Sequence, residues 1–310
     1  MLLQGHGMQT TCATPLHQVD APAAMRPLLR ADALSKRYGP VTVLSDITLD
    51  IRAGEIHAVI GENGAGKSTL MGLLSGYISP SAGTLILDGQ PVHFATPHQA
   101  QQAGIVLVHQ EILLAEGLTV TQNLFLGRER GRMGMVDDRT MRRMAAEKLA
   151  ELGCHVSPNA LVRDVPLAER QLIQIARALL DEHRLVIFDE PTAVLTGDEV
   201  ERLLTIIFSL KAQGIAVLYI SHRLDEVQRV ADRLTVLRDG RMVSTHPGHT
   251  LSQMDMAHLM VGRELASLYP PRALRSMTEP MPLCEAPACR GGSRTCPSRY
   301  TRAKSSASPA

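Results

Sequence analysis

No stretch of this 310-residue sequence approaches the roughly 18 apolar residues of a membrane span, and the first 25 residues lack the basic start and apolar centre of a secretory signal. Those absences imply a chain that stays in the cytoplasm. A disulfide framework is missing as well. The five cysteines are an odd number, and Cys284, Cys289 and Cys296 crowd the end of the chain at spacings that match no common zinc pattern. Charge of one sign is also scarce: the formal net charge is +1 with acids and bases interspersed, so no nucleic-acid footprint is present and no nucleic-acid partner is expected.

What is present is enough apolar material, 45% of residues, to bury the core of one or two domains. Residues 1–27 are rich in Gly, His, Thr, Pro and Ala without periodicity, which predicts a disordered extension, with Met8 and Met25 as alternative starts. From Leu28 the runs "VTVLSDITLDI", "IHAVIG", "TLILDG", "GIVLVHQ", "RLVIFDE", "IAVLYISH" and "RLTVLRDG" read as strands, with helical patterns between several of them. Between Thr119 and Leu161 the strand pattern stops. "TVTQNLFLGRE" and "DRTMRRMAAEKLAELG" carry helical periodicity, predicting a mostly helical insert over about 115–165. After Arg263 the pattern collapses. The folded domain is therefore expected over 28–264 and a disordered tail over 265–310.

"GENGAGKST", Gly61 to Thr69, fits the phosphate-loop pattern G-x-x-x-x-G-K-[ST] between a predicted strand and a predicted helix. Gly61, Glu62, Asn63, Gly64, Ala65 and Gly66 would curl the backbone so that successive N–H groups face phosphate oxygens. The helix opening near Lys67 directs its positive end at the same point. Lys67 would bridge the terminal phosphates, Ser68 would bind Mg²⁺, and Thr69 completes the motif. "RLVIFDEPT" places Asp189 and Glu190 at the end of an apolar strand, where the first carboxylate can reach Mg²⁺ and the second can polarise a water, a pairing that suits hydrolysis.

The order of phosphate loop, "VLVHQE", "PLAERQLIQIARAL", "FDEPTAVLT" and "YISHRLDEV" resembles the nucleotide-binding domain of ABC transporters over residues 28–264. "VHQEILLAEGLTVTQNLFLGRE" and "LMVGREL" look most similar to importers of monosaccharides such as ribose, xylose, arabinose or galactose. The resemblance implies an α/β P-loop NTPase fold, the ABC-type nucleotide-binding domain with an antiparallel β subdomain and a helical insert. It also implies an ATPase using ATP and Mg²⁺. Tyr38 would stack on adenine, Gln110 would touch Mg²⁺ and sense the membrane subunits, and His222 would be the switch histidine near the γ-phosphate. The implied partners are transmembrane permease subunits, a periplasmic or extracellular sugar-binding protein acting indirectly, and a second nucleotide-binding domain, either a second copy or a fused domain. The implied residence is the cytoplasmic face of the membrane. An ABC ATPase of the translation or repair type, and a truncated remnant without function, are the alternative readings.

One departure stands out. Where the family carries L-S-G-G-Q, this chain has Val165, Pro166, Leu167, Ala168 and Glu169. Proline suits the first turn of a helix, so the helix is expected to survive, but the hydroxyl and one N–H that would hold a γ-phosphate are gone. The half-site built on Pro166 is expected to be the weaker of two.

The last sixteen residues, Thr295 to Ala310, lack Ile, Val, Leu and Phe. Read one base out of register, their codons permit DVSFTLHAGEILGIAG, which repeats the Ala53-Gly54-Glu55-Ile56 run of "DITLDIRAGEIHAVIG". The expectation is a frameshift that truncates a double-domain chain, and the downstream DNA decides it.

Overall fold

A computed structural model describes residues 27–132 and 135–262. The expected disordered extension, the boundary near residue 265 and the expected out-of-frame tail lie outside the described residues, Pro27 and the last residues before the boundary apart.

The chain begins with an antiparallel hairpin, β1 (Leu29–Tyr38) and β2 (Val41–Ile51), whose register runs from Leu29 opposite Ile51 to Tyr38 opposite Val41. Strand β3 (Ile56–Ile60) leads through the glycine-rich loop into α1 (Lys67–Leu74). Strands β4 (Ala82–Leu87) and β5 (Gln90–Val92) follow, then α2 (Pro97–Gln102) and β6 (Ile105–Val108). The insert holds α3 (Val120–Phe125), a short hairpin of β7 (Gly131–Arg132) and β8 (Met135–Val136), and α4 (Asp138–Glu151). Helix α5 (Leu167–Ala178) returns to the body, followed by β9 (Leu185–Asp189), α6 (Gly197–Ala212), β10 (Ala216–Ile220) and α7 (Leu224–Val230). Strands β11 (Arg233–Arg238) and β12 (Arg241–Pro247) and helix α8 (Gln253–Val261) complete the described chain.

Two sheets organise these elements. The first is antiparallel in the order β2-β1-β4-β5, and the second runs β12-β11-β3-β10-β9-β6 with β12 antiparallel and the others parallel. Parallel strands connected by helices are covered on both faces, which explains why β3 and β10 are buried along their whole lengths. Alternate residues serve different cores. Val186, Phe188, Val217 and Tyr219 pack with the insert and helices α5 to α8. Leu185, Ile187, Ala216, Leu218 and Ile220 pack with the antiparallel sheet, α1 and α2.

The register decides where function can sit. Ile220 pairs with both Val59 and Asp189, so β3, β9 and β10 end together and the loops that follow them leave from one sheet edge.

The expected strands all form, but three others outside the insert were not legible. β1 alternates apolar and polar residues irregularly because register shifts interrupt its pairing with β2, β5 is short, and β12 is a mostly exposed edge strand with a proline at its end. Two expectations in the insert are corrected. "TVTQNLFLGRE" is helical only to Phe125, since the chain turns at Leu126 and reaches a left-handed Gly127 (φ 79°). The strand pattern does not stop entirely either. Gly131 pairs with Val136 so close to the Met135 carbonyl that a side chain at Gly131 would collide with it.

The insert is anchored by Asn123, fully buried, whose Oδ1 accepts from the Ala115 N–H (2.7 Å) and whose Nδ2 donates to the carbonyls of Ala115 (2.9 Å) and Thr119 (3.0 Å). In the central sheet, Leu218→Ala removes a fully buried side chain and leaves a cavity. It is expected to cost about 2–5 kcal/mol in urea unfolding.

Candidate functional site

The loop after β3 is shaped by two glycines with left-handed backbones, Gly64 (φ 86°) and Gly66 (φ 102°). A side chain at Gly66 would lie 2.6 Å from the Leu44 side chain of β2, so the loop presses against the antiparallel sheet. The Glu62 carbonyl accepts from the Ala65 N–H (3.1 Å), and the Ala65 carbonyl accepts from the Gly240 N–H (3.1 Å), pinning the curl. Helix α1 opens at Lys67 with Gly66 as its cap, no side-chain cap and no acidic residue in its first turn, which leaves its positive end open to an anion.

Lys67 is 7% exposed, and its Nζ donates to the carbonyls of Gly61 (2.8 Å) and Glu62 (3.1 Å). Burial pushes its pKa down, against the pull of the Glu190 and Asp189 carboxylates. Ser68 is exposed and Thr69 half-buried beside it.

β9 delivers the carboxylates. Asp189 is half-buried, and burial together with the adjacent charge of Glu190 raises its pKa, while Lys67 opposes the rise. Glu190 takes a left-handed backbone (φ 44°), a strain of about 1–2 kcal/mol for a residue with a side chain. Its N–H donates to the Ile220 carbonyl (2.9 Å), fixing the turn against β10. Two other predicted residues meet at one of its oxygens: Gln110 Nε2 lies 3.4 Å from Glu190 Oε2, and His222 Nδ1 lies 3.2 Å from the same atom.

Gly64, Gly66, Lys67, Ser68, Gln110, Asp189 and Glu190 border one open cleft of about 480 Å³, joined by Val43 of β2. Val43 carries no sequence signal, being one apolar residue in a strand. Gln174 was missed as well. It is buried on α5, donates to the His109 carbonyl (2.7 Å) and accepts from the Leu113 N–H (2.7 Å), clamping the segment that carries Gln110. Its signal was a glutamine on the apolar face of "QLIQIARAL".

Tyr38 is not brought to the cleft lining. It stands at the end of β1, about half exposed (48%), with Lys36 Nζ 5.0 Å from its ring centroid.

The signature stretch differs from its expectation in one respect. Pro166 is not in the first turn of α5 but caps it in an extended conformation (φ −56°, ψ 150°), its carbonyl accepting from the Arg170 N–H at 3.0 Å. The N–H it lacks is the N-cap member of the four donors at the helix start that have no intrahelical partner, so those of Leu167, Ala168 and Glu169 remain. Glu169, in the glutamine's place, has a side chain only 24% exposed and turned toward Arg202, at 4.0 Å, and Cys154, whose thiol is pushed up to about 12 by burial and by Glu169. Leu167 is the side chain that projects, at 54% exposure.

A sequence profile described as "ABC transporter" matches residues 44–193. The ribose import ATP-binding protein RbsA 1 of Rhizobium johnstonii is 44% identical over 247 residues, covering 79% of this chain and 48% of the relative. A ribose import ATP-binding protein RbsA of a Chelativorans species is 47% identical over 236 residues, 76% of this chain and 46% of the relative. A putative ribose/galactose/methyl galactoside import ATP-binding protein of Burkholderia ambifaria is 46% identical over 247 residues, 80% and 48%. The chain thus spans about half the length of the curated relatives it matches. Among solved structures, the ADP conformation of MJ1267, an ATP-binding cassette of an ABC transporter, has the same fold, with a TM-score of 0.64 at 22% identity over 78% of this chain and 98% of that one. A dimeric post-hydrolysis state of the cassette MJ0796, bound to ADP and Pi, gives a TM-score of 0.64 at 22% identity over 72% and 100%.

The raised pKa of Asp189 has a stability consequence of definite sign. The folded chain holds this proton where the unfolded chain has lost it, so the stabilisation is present at low pH and is lost as pH rises through the folded value. Asp189→Asn is therefore expected to melt above the parent at pH 7, with the advantage narrowing toward pH 4, as read by circular dichroism melts across that range.

Proposed function

From the premise that this chain carries a nucleotide-binding domain of the ABC transporter family, we propose that it binds and hydrolyses ATP to energise import of a monosaccharide through separate transmembrane permease subunits. The observation that carries this reading is the shared cleft: a phosphate-cradling loop, a buried lysine and two carboxylates border one cavity, and the second carboxylate touches both Gln110 and His222. The sugar class is supported by the import proteins to which the chain is similar.

The work of the site is placement and charge neutralisation. The loop N–H groups and the start of α1 hold the β- and γ-phosphates of ATP, and Lys67 exchanges its two carbonyl partners for phosphate oxygens. Ser68, Asp189 and Gln110 offer the hard oxygen donors that Mg²⁺ prefers, and the ion when bound there supplies further positive charge to the phosphates. Glu190 orients the attacking water. His222, more than half exposed on its side chain, holds Glu190 from one side and faces the γ-phosphate from the other.

A second nucleotide-binding domain completes each site, and the projecting Leu167 and the cap Pro166 form the surface this chain offers it. With no side-chain hydroxyl at Pro166, the site built on that surface is the weaker one. Tyr77, whose ring packs edge-on against His109 at 4.9 Å, and exposed Leu113 flank the Gln110 segment and suit contact with the permease. No helix among the described residues is long and apolar enough to cross a membrane, which fits a peripheral subunit at the cytoplasmic face. A sugar-binding protein would act through the permease alone.

Titration of the full chain with a fluorescent ATP analogue tests the assignment. Lys67→Ala is expected to weaken nucleotide affinity by about a hundredfold, through loss of a charge-assisted contact in a buried setting. An unchanged affinity overturns the role of Lys67. Glu190→Gln is expected to keep affinity within about threefold while hydrolysis, measured by phosphate release, drops about 10²-fold or more.

A further inference from the structure

We propose that Glu226 is a positioning residue that holds Glu190 and His222 in their working relation, an inference that rests on the ATPase reading above. Glu226 lies in the first turn of α7 and is 1% exposed. Its Oε2 accepts from two buried hydroxyls, Thr192 Oγ1 at 2.8 Å and Tyr219 Oη at 2.7 Å. Its Oε1 lies 2.7 Å from Arg223 Nη1. A carboxylate this deep is tolerated only where such partners replace water.

The partners come from the segments that matter for hydrolysis. Thr192 sits two residues beyond Glu190 in the same turn and is itself 3% exposed. Arg223 directly follows His222 and precedes α7. Tyr219 stands on β10, whose last residue, Ile220, accepts the Glu190 N–H. One carboxylate therefore ties the turn carrying Glu190 to Arg223, the neighbour of His222 in the loop before α7, on either side of the 3.2 Å contact between Glu190 and His222. That tie is needed because Glu190 holds a left-handed backbone that the turn would leave if released. The Glu226 network supplies a side-chain anchor from outside the turn, at Thr192.

The hydroxyls separate positioning from mere packing. Thr192 connects Glu226 to the catalytic turn, whereas Tyr219 connects it only to the central strand. The test uses the full chain with four variants and four readings: phosphate release, ATP-analogue affinity, the imidazole Cε1–H resonance of His222 by NMR and the melting temperature. Glu226→Leu and Thr192→Val are expected to lower turnover about tenfold or more through misplacement of reacting groups, to leave ATP affinity within about twofold, and to move the His222 resonance. Tyr219→Phe is expected to lower the melting temperature but to leave turnover and the resonance in place. Glu226→Gln keeps an acceptor oxygen and is expected to retain turnover within about threefold of the parent.

Turnover that falls in step with melting temperature across all four variants, or a His222 resonance unmoved in both Glu226→Leu and Thr192→Val, overturns the proposal. Should Glu226→Leu fail to fold, Thr192→Val gives the same reading. A parent chain that binds no ATP overturns the ATPase reading, and the His222 resonance then decides the positioning claim by itself.

Discussion

The common ending of β3, β9 and β10 is the constraint on which the rest of this structure depends. Ile220 pairs with Val59 on one side and with Asp189 on the other, so the backbone ladder alone brings the glycine-rich loop, the two carboxylates and His222 to one edge. A slip of one residue would send each alternate side chain to the opposite core. Phe188 and Tyr219 serve one core and Ile187 and Leu218 the other, so both apolar layers resist that slip. Burial therefore fixes the register, and register places the chemistry.

At that edge the molecule accepts charge and strain that a purely structural turn would avoid. Lys67 is buried with two loop carbonyls as partners, Asp189 is held above its ordinary pKa, and Glu190 occupies a backbone region that costs free energy. Each is tolerated because neighbours over-determine it. Leu44 packs against the loop, the Ile220 carbonyl receives the Glu190 N–H, and Glu226 gathers Thr192, Tyr219 and Arg223. Such a concentration of unfavourable local choices marks a site where geometry matters more than local stability.

Much of the site was legible because phosphate chemistry restricts sequence severely. "GENGAGKST" needs its glycines for backbone approach and its lysine for charge, and "FDEPT" needs two acids at a strand end. Other residues were not legible, because their roles depend on which element they meet. Val43 is one apolar residue in a strand until the fold sets it beside the loop, and Gln174 is one polar residue in a helix until it clamps the Gln110 segment. The signature stretch shows the same limit. Its proline was visible, but its place as a cap rather than a first-turn residue, and the turn of Glu169 toward Arg202 of α6 and Cys154, are seen only in the folded chain.

The sequence by itself determined the glycine-rich loop between strand and helix, the positions of the central strands along the chain and the pair of carboxylates at a strand end, because these rest on local backbone and charge requirements that few residue types satisfy. Only the tertiary structure decided that Gln110 and His222 meet at a single oxygen of Glu190, that Tyr38 is not among the residues lining the cleft, and that Glu226 meets both Thr192 and Arg223. Those relations link residues far apart along the chain, and they arise from strand pairing and core packing, which no local pattern encodes.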